Sequence, residues 1–228
     1  MPPPGRRQRP RRREATLAPS RQTTGRKTGR TAGRTTGHKP PPGQVRLIGG
    51  RFGGRRLPIL DQPGLRPTAD RTRETLFNWL QPVIPGSRCL DAFAGSGALG
   101  FEALSRGAAW VVMLECNARV ARQLRANATA LAAENLVIDE SNCLHWLATT
   151  QPTPFDIAFL DPPFADQLLP ACLEALGTRP WLAPAARVYL ETDAREPFPD
   201  LPCGWTWLRE KTAGQVRFGL ALAGTAGP

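Results

Sequence analysis

From Arg88 onward, short apolar runs alternate with stretches in which apolar residues return every three or four positions, the periodicities of strand and helix in turn. The pattern predicts strands at Cys89 to Phe93, Trp110 to Glu115, Leu136 to Asp139, Phe155 to Leu160 and Ala186 to Glu191. Helices are predicted at Ala98 to Arg106, Ala118 to Ala133 and Leu168 to Leu176. Runs as apolar as Phe155-Asp156-Ile157-Ala158-Phe159-Leu160 belong to parallel strands buried on both faces. The end of the chain differs. Trp205 to Arg209 and Val216 to Leu222 lie too close across Ala213-Gly214 for a crossover helix, which predicts an antiparallel hairpin. The expected fold class is therefore α/β: a doubly wound, mostly parallel sheet finished by a hairpin.

Ahead of this alternation, Val45-Arg46-Leu47-Ile48 and the glycine-punctuated run Gly49 to Leu57 predict an N-terminal β-hairpin extension. Apolar residues at Leu76, Phe77 and Leu80 then predict a helix over Ala69 to Leu80, capped by Thr68 or Asp70 and stopped before Pro82. The segment is basic: seven arginines, Arg46, Arg51, Arg55, Arg56, Arg66, Arg71 and Arg73, stand against two acids, Asp61 and Asp70. Arg66, Arg71 and Arg73 are expected to project from the leading end of the helix.

Charge separates the chain into two parts. Residues 1–42 hold twelve Lys or Arg and one acid, whereas the rest holds eighteen of each sign, so the net charge of +11 lies in the tail. Rich in Pro, Gly and Thr, with Leu17 as almost its only large apolar residue, the tail cannot offset the entropy of ordering and is expected to be disordered. Its charge would raise affinity for any polyanion without sequence choice. An Arg-rich, acid-poor leader also resembles an organellar transit peptide, although the prolines and glycines oppose the amphipathic helix such peptides use. The remaining stretch, roughly 185 residues, suits one domain with a single core. No apolar run approaches the length of about eighteen residues that spans a bilayer, and no secretory signal is present, so a soluble, cytoplasmic protein is expected. Cys89, Cys116, Cys143, Cys172 and Cys203 are scattered without paired spacing and read as reduced core thiols. With His38 and His145 the only histidines, no metal site is expected. His145 and Trp146 read as packing residues on a short helical stretch. A monomer is expected, since no spare apolar stripe is evident.

Two motifs carry chemistry. Asp161-Pro162-Pro163-Phe164 follows the strand Phe155 to Leu160, at the carboxyl end where open α/β sheets keep their ligands. Consecutive prolines donate no backbone hydrogen bonds and fix φ, so their carbonyls point in a set direction beside the Phe164 ring. Such acceptors next to a stacking surface suit a flat, amine-bearing ring such as a nucleobase. The second motif, Asp91-Ala92-Phe93-Ala94-Gly95-Ser96-Gly97-Ala98-Leu99-Gly100, closes one strand and opens a helix. Its glycines satisfy G-x-G-x-x-G, and Glu115 ends the next strand twenty positions beyond Gly95, where an acid can hold ribose hydroxyls. This much suits NAD as well as S-adenosylmethionine. Asp91 favours the methyl donor, because a carboxylate there could engage a methionine ammonium and would repel a pyrophosphate. Asn142, after the third strand, could read an adenine edge or simply cap a helix.

These residues resemble a known family, the bacterial 16S rRNA guanine-N2 methyltransferases that act on guanine 966. The resemblance runs through Arg46 to Gly50, Leu65 to Arg71, Arg73 to Leu80, Asp91 to Gly100, Glu102 to Arg106, Asp161 to Phe164 and Glu210 to Val216. The glycines and the Asp-Pro-Pro-Phe turn are shared with DNA amino-methyltransferases; the arginine-rich opening and the Arg66 to Leu80 block are more specific. The resemblance implies a seven-stranded, Rossmann-like S-adenosylmethionine-dependent methyltransferase domain over 83–228, an RNA-holding hairpin and helix over 43–82, and nothing for the tail. It places Asp91, Phe93, Gly95, Ser96 and Gly97 around the methionine part, Glu115 at the ribose, Asn142 by adenine, and Asp161, Pro162 and Phe164 at the guanine. The implied partner is 16S rRNA, within a small-subunit assembly particle, with the seven arginines as candidate contacts. Three rivals share some features. A DNA adenine or cytosine amino-methyltransferase would need a base-reading insertion that the chain lacks. A nicotinamide-dependent dehydrogenase leaves Asp161 to Phe164 unexplained, and a noncatalytic RNA-binding assembly factor would keep the pocket without using it.

Overall fold

The structure, a computed structural model, describes residues 43–60, 70–164 and 167–224. The basic tail, Thr68 and the candidate RNA contact Arg66 lie outside the described residues. In chain order the elements are β1 (Gln44–Arg46), β2 (Arg56–Pro58), α1 (Asp70–Leu80), β3 (Arg88–Asp91), α2 (Ala98–Ser105), β4 (Trp110–Leu114) and α3 (Ala118–Leu131). There follow β5 (Leu136–Asp139), α4 (Cys143–Thr149), β6 (Phe155–Leu160), α5 (Leu169–Thr178), β7 (Leu182–Asp193), β8 (Thr206–Ala213) and β9 (Val216–Leu222).

Seven strands form one sheet in the order β5-β4-β3-β6-β7-β9-β8. The strands from β5 to β7 pair in parallel, while β9 runs antiparallel to both β7 and β8. The chain leaves β3 toward β4 and later returns to β6 on its other side, so the crevice between the carboxyl ends of β3 and β6 is the switch point where such sheets bind ligands. Strand alternation splits the apolar residues between two layers. Ile157 and Phe159 of β6 join a core with α1, α2 and α3, whereas Ala158 and Leu160 join one with α4 and α5.

The N-terminal hairpin belongs to the first core. Val45 pairs with Leu57 across it, and Val45, Leu47, Phe52 and Leu57 are buried with Leu76, Phe101 and Leu104. Its turn is fixed to α2 by polar contacts: the amides of Ile48 and Gly49 donate to Glu102 at 2.7 and 2.8 Å, and the Phe52 amide donates to Ser105 Oγ at 2.9 Å. Gly50, at φ 71°, allows this approach, since a Cβ there would lie 1.9 Å from the Ser105 carbonyl oxygen.

Most predicted boundaries move by a few residues. β7 begins at Leu182 rather than Ala186, because Phe155 of β6 pairs with Leu182 across an irregularity that the alanines of the segment do not announce. β8 extends through the polar Glu210-Lys211-Thr212, as an edge strand needs only one apolar face. Among the cysteines, Cys89, Cys143 and Cys172 are buried, but Cys116 and Cys203 are exposed, which corrects the reading of all five as core thiols. Among the described residues no helix is long and apolar enough to cross a membrane.

Candidate active site

The glycine loop leaves β3 at its carboxyl end and is stitched over the sheet, with the Ala92 amide donating to Phe159 and the Ala94 amide to Leu114 at 3.1 and 2.9 Å. Gly97 enters α2 at φ 76°, and a Cβ there would stand 2.6 Å from the Phe101 ring. Two carboxylates hold the loop from beneath. Asp91 Oδ2 accepts the Gly100 amide at 2.9 Å. Glu115 accepts the amides of Gly95 and Asn117 at 3.0 and 2.8 Å. Neither acid forms an ion pair among the described residues.

Asp91 is only 2% exposed. Burial, with Asp161 and Glu115 adding repulsion, pushes its carboxyl up to about 7 against the pull of the Gly100 and Phe93 amides. The mutual repulsion marks an electronegative crevice at the ends of β3, β4 and β6. β7 contributes two further groups that the sequence did not flag, the buried Tyr189 and Glu191, joined by a hydrogen bond from the Tyr189 hydroxyl. Burial, Glu191 and Asp161 all raise Tyr189, so it remains a neutral donor. The register sets Leu160 beside Leu190, which brings Asp161 and Glu191 level at the mouth.

Immediately beyond β6, Pro162 is buried and Asp161 half-buried, whereas Phe164 is 42% exposed, one of two large hydrophobic side chains so exposed among the described residues. The sequence-selected Asp91, Phe93, Gly95, Ser96, Gly97, Glu115, Asp161, Pro162 and Phe164 thus converge on the carboxyl ends of three adjacent strands. Asn142 lies beyond β5 as the cap of α4, where its side chain accepts the His145 amide at 3.3 Å.

Comparison with known proteins decides the lineage. The family model described as Conserved hypothetical protein 95 matches residues 45–221. Ribosomal RNA small subunit methyltransferase D of Escherichia coli K12 is 49% identical over 178 residues, 78% of this chain and 89% of that relative. The chain belongs to the ribosomal RNA small subunit methyltransferase D family. The Haemophilus influenzae member is 48% identical over 181 residues, spanning 78% of this chain and 93% of its own. Among solved structures, the Escherichia coli protein yhhF superposes with a TM-score of 0.72 at 48% identity, covering 79% of this chain and 98% of that one. The sheet is that of the methyltransferase fold.

Against this family background the arginines fall into different environments. Arg51, Arg55, Arg56 and Arg71 are exposed; Arg51 lies over the Phe52 ring at 4.4 Å and Arg55 donates to the Ala130 carbonyl at 2.9 Å. Arg46, half exposed, pairs with Asp70 at 3.2 Å. Arg73 does not project at all. It is fully buried, paired with Asp70 at 2.6 Å, 3.9 Å from Glu102 and donating to the Arg46 carbonyl, so it ties the hairpin to α1 and is no surface contact for RNA.

The position of Asp91 predicts a pH dependence. Its native carboxyl titrates above its ordinary 3.8, so the native state holds the proton more tightly than the unfolded chain. The associated stability is complete below about pH 4 and is lost as pH rises through about 7. Between about pH 5 and 6.5 the wild type should lose roughly 2 kcal/mol relative to Asp91→Asn, read from urea unfolding. A constant difference between the two proteins across that range would refute the assignment.

Proposed function

We propose that this protein transfers a methyl group from S-adenosylmethionine to the exocyclic N2 of guanine 966 in 16S rRNA, acting on a small-subunit assembly particle in the cytoplasm. The observation that carries the reading is the exposed Phe164 ring next to Asp161 and the buried Pro162, at the switch point beside the glycine loop. Family membership and the names of its members support RNA of the small subunit as the substrate.

The donor fits the residues present. Asp91 and Glu115 make the loop electronegative and suit a ligand carrying an ammonium and a sulfonium, where a pyrophosphate would be repelled. Gly95, Ser96 and Gly97 would lie against the methionine part, Glu115 at the ribose and Asn142 toward the adenine. When bound, S-adenosylmethionine supplies a methyl group on a positively charged sulfur.

The chain's own groups act on the acceptor. The N2 lone pair of guanine is spread into the ring and must be localised. Asp161 and the Pro162 carbonyl accept the two N2 hydrogens, which draws the nitrogen toward a tetrahedral shape, and their rigid mounting holds it in line. As nitrogen gains the methyl group, its surplus proton leaves along the hydrogen bond to the Asp161 carboxylate. Extruding the base costs a few kcal/mol, and one aromatic stack returns roughly 1 to 3 kcal/mol, so Phe164 offsets much of that cost. The exposed hairpin arginines, with Arg71, neutralise phosphates nearby.

Incubating the protein and donor with unmethylated small-subunit particles, then mapping the modified nucleoside by mass spectrometry, tests base, atom and position together. The expected product is one N2-methylguanine at position 966. Methylation elsewhere, on another atom, or none at all would refute the proposal.

A further inference from the structure

The hairpin lies along α3, a helix of 14 residues carrying Arg119, Arg122 and Arg125 and no Asp or Glu. All three arginines are exposed, outside the buried stripe of Val120, Leu124 and Asn127. Arg125 is engaged, 3.6 Å from Glu140 and donating to the Ile138 carbonyl. Arg119 and Arg122 make no ion pair among the described residues.

Local energetics do not explain these two cations. Arg119 stands in the first turn, where the helix dipole disfavours positive charge and where acids are absent. One turn on, Arg122 adds like charge to the same exposed surface. The amides of that turn are also occupied, since Asn117 Oδ1 accepts those of Arg119 and Val120 at 2.9 and 3.3 Å. The charge projecting to solvent is thus that of the guanidinium groups.

Their placement gives the surface a direction. β2 runs antiparallel to α3, with Arg55 bonded to Ala130, the Pro58 carbonyl accepting from Asn127, and Ile59 and Leu60 lining a small cavity with Val120, Gly95 and Ser96. Passing from Ala130 to Arg119 covers roughly 16 Å along the helix and ends beside the glycine loop. A polyanion held at the hairpin and reaching the crevice therefore has Arg122 and then Arg119 on its way.

We infer that the exposed face of α3, through Arg119 and Arg122, is a second RNA-backbone surface that continues the hairpin arginines toward the active-site mouth. It takes the phosphodiesters of the substrate strand and reads no bases. The inference rests on the proposed RNA substrate.

The test uses the full chain with Arg119→Gln and Arg122→Gln together, and a protein-free rRNA fragment containing the target site. Affinity is measured by fluorescence anisotropy across a salt series. Two lost phosphate contacts should lower the slope of log affinity against log salt by roughly 1.5. Lysine at both positions should restore it, and kcat at saturating RNA should stay at the wild-type value while KM rises. An unchanged slope would overturn the inference. So would an unchanged slope on naked RNA with weakened binding to the assembled particle, which would assign the face to a ribosomal protein. Labelled methyl transfer by the wild type to the same fragment judges the substrate reading separately; its failure leaves the salt slope to judge the surface.

Discussion

Truncating Asp161 to alanine should lower kcat roughly 100- to 1000-fold while the dissociation constant of S-adenosylmethionine stays near its wild-type value. The side chain is half-buried at the end of β6, on a turn whose next residue, Pro162, is buried and fixes the backbone direction. In the proposed role its hydrogen bond to the N2 hydrogen strengthens as charge shifts in the transition state, so its loss falls mainly on turnover rather than on donor binding. Removing it also relieves the repulsion felt by Asp91, which moves that carboxyl back toward the ionised form and offsets part of the charge lost near the donor at neutral pH. Single-turnover methyl transfer at saturating RNA gives the rate, and calorimetry gives the donor affinity. A variant with normal turnover and weakened donor binding would place Asp161 in the donor pocket and end its proposed role at the acceptor.

Replacing Glu102 with alanine should cost about 3 to 5 kcal/mol of stability. Glu102 is fully buried in α2 and accepts from the Ile48 and Gly49 amides and from Arg106 Nε at 2.7 Å, with Arg73 3.9 Å away. Alanine would strand two amides and leave the fully buried Arg73 guanidinium short of counter-charge, the costly direction for a buried ion network. For a domain of this size the loss corresponds to a fall in melting temperature of roughly 6 to 20 °C. Urea unfolding measures it directly, and a loss below about 1 kcal/mol would show the network to be incidental.

The parallel strands and the glycine loop were legible in the sequence because each rests on a local rule: apolar runs for strands buried on both faces, glycines where backbone must come close. Arg73 shows the opposite case. It shares a helical stripe with Leu76, Phe77 and Leu80, so its spacing announced burial, but its charge suggested the surface. The stripe prevailed because two carboxylates compensate the charge, Asp70 one turn back at 2.6 Å and Glu102, far along the chain, at 3.9 Å. Tyr189 and Glu191 were invisible for a related reason. Only the pairing of β6 with β7 brings them to the crevice, and no short motif encodes that register. Asn142 was read two ways, and the cap is the one that the hydrogen bond to His145 displays.

The seating of the hairpin on α2 bears on any attempt to exchange this segment between relatives. Because Gly50 rests against the Ser105 carbonyl and the strand residues Val45 and Leu57 fill the same interior as Phe101, the hairpin cannot serve as a detachable cassette. A chimaera would have to transplant the matching surface of α2, Glu102 and Ser105 included, for the borrowed arm to keep its aim.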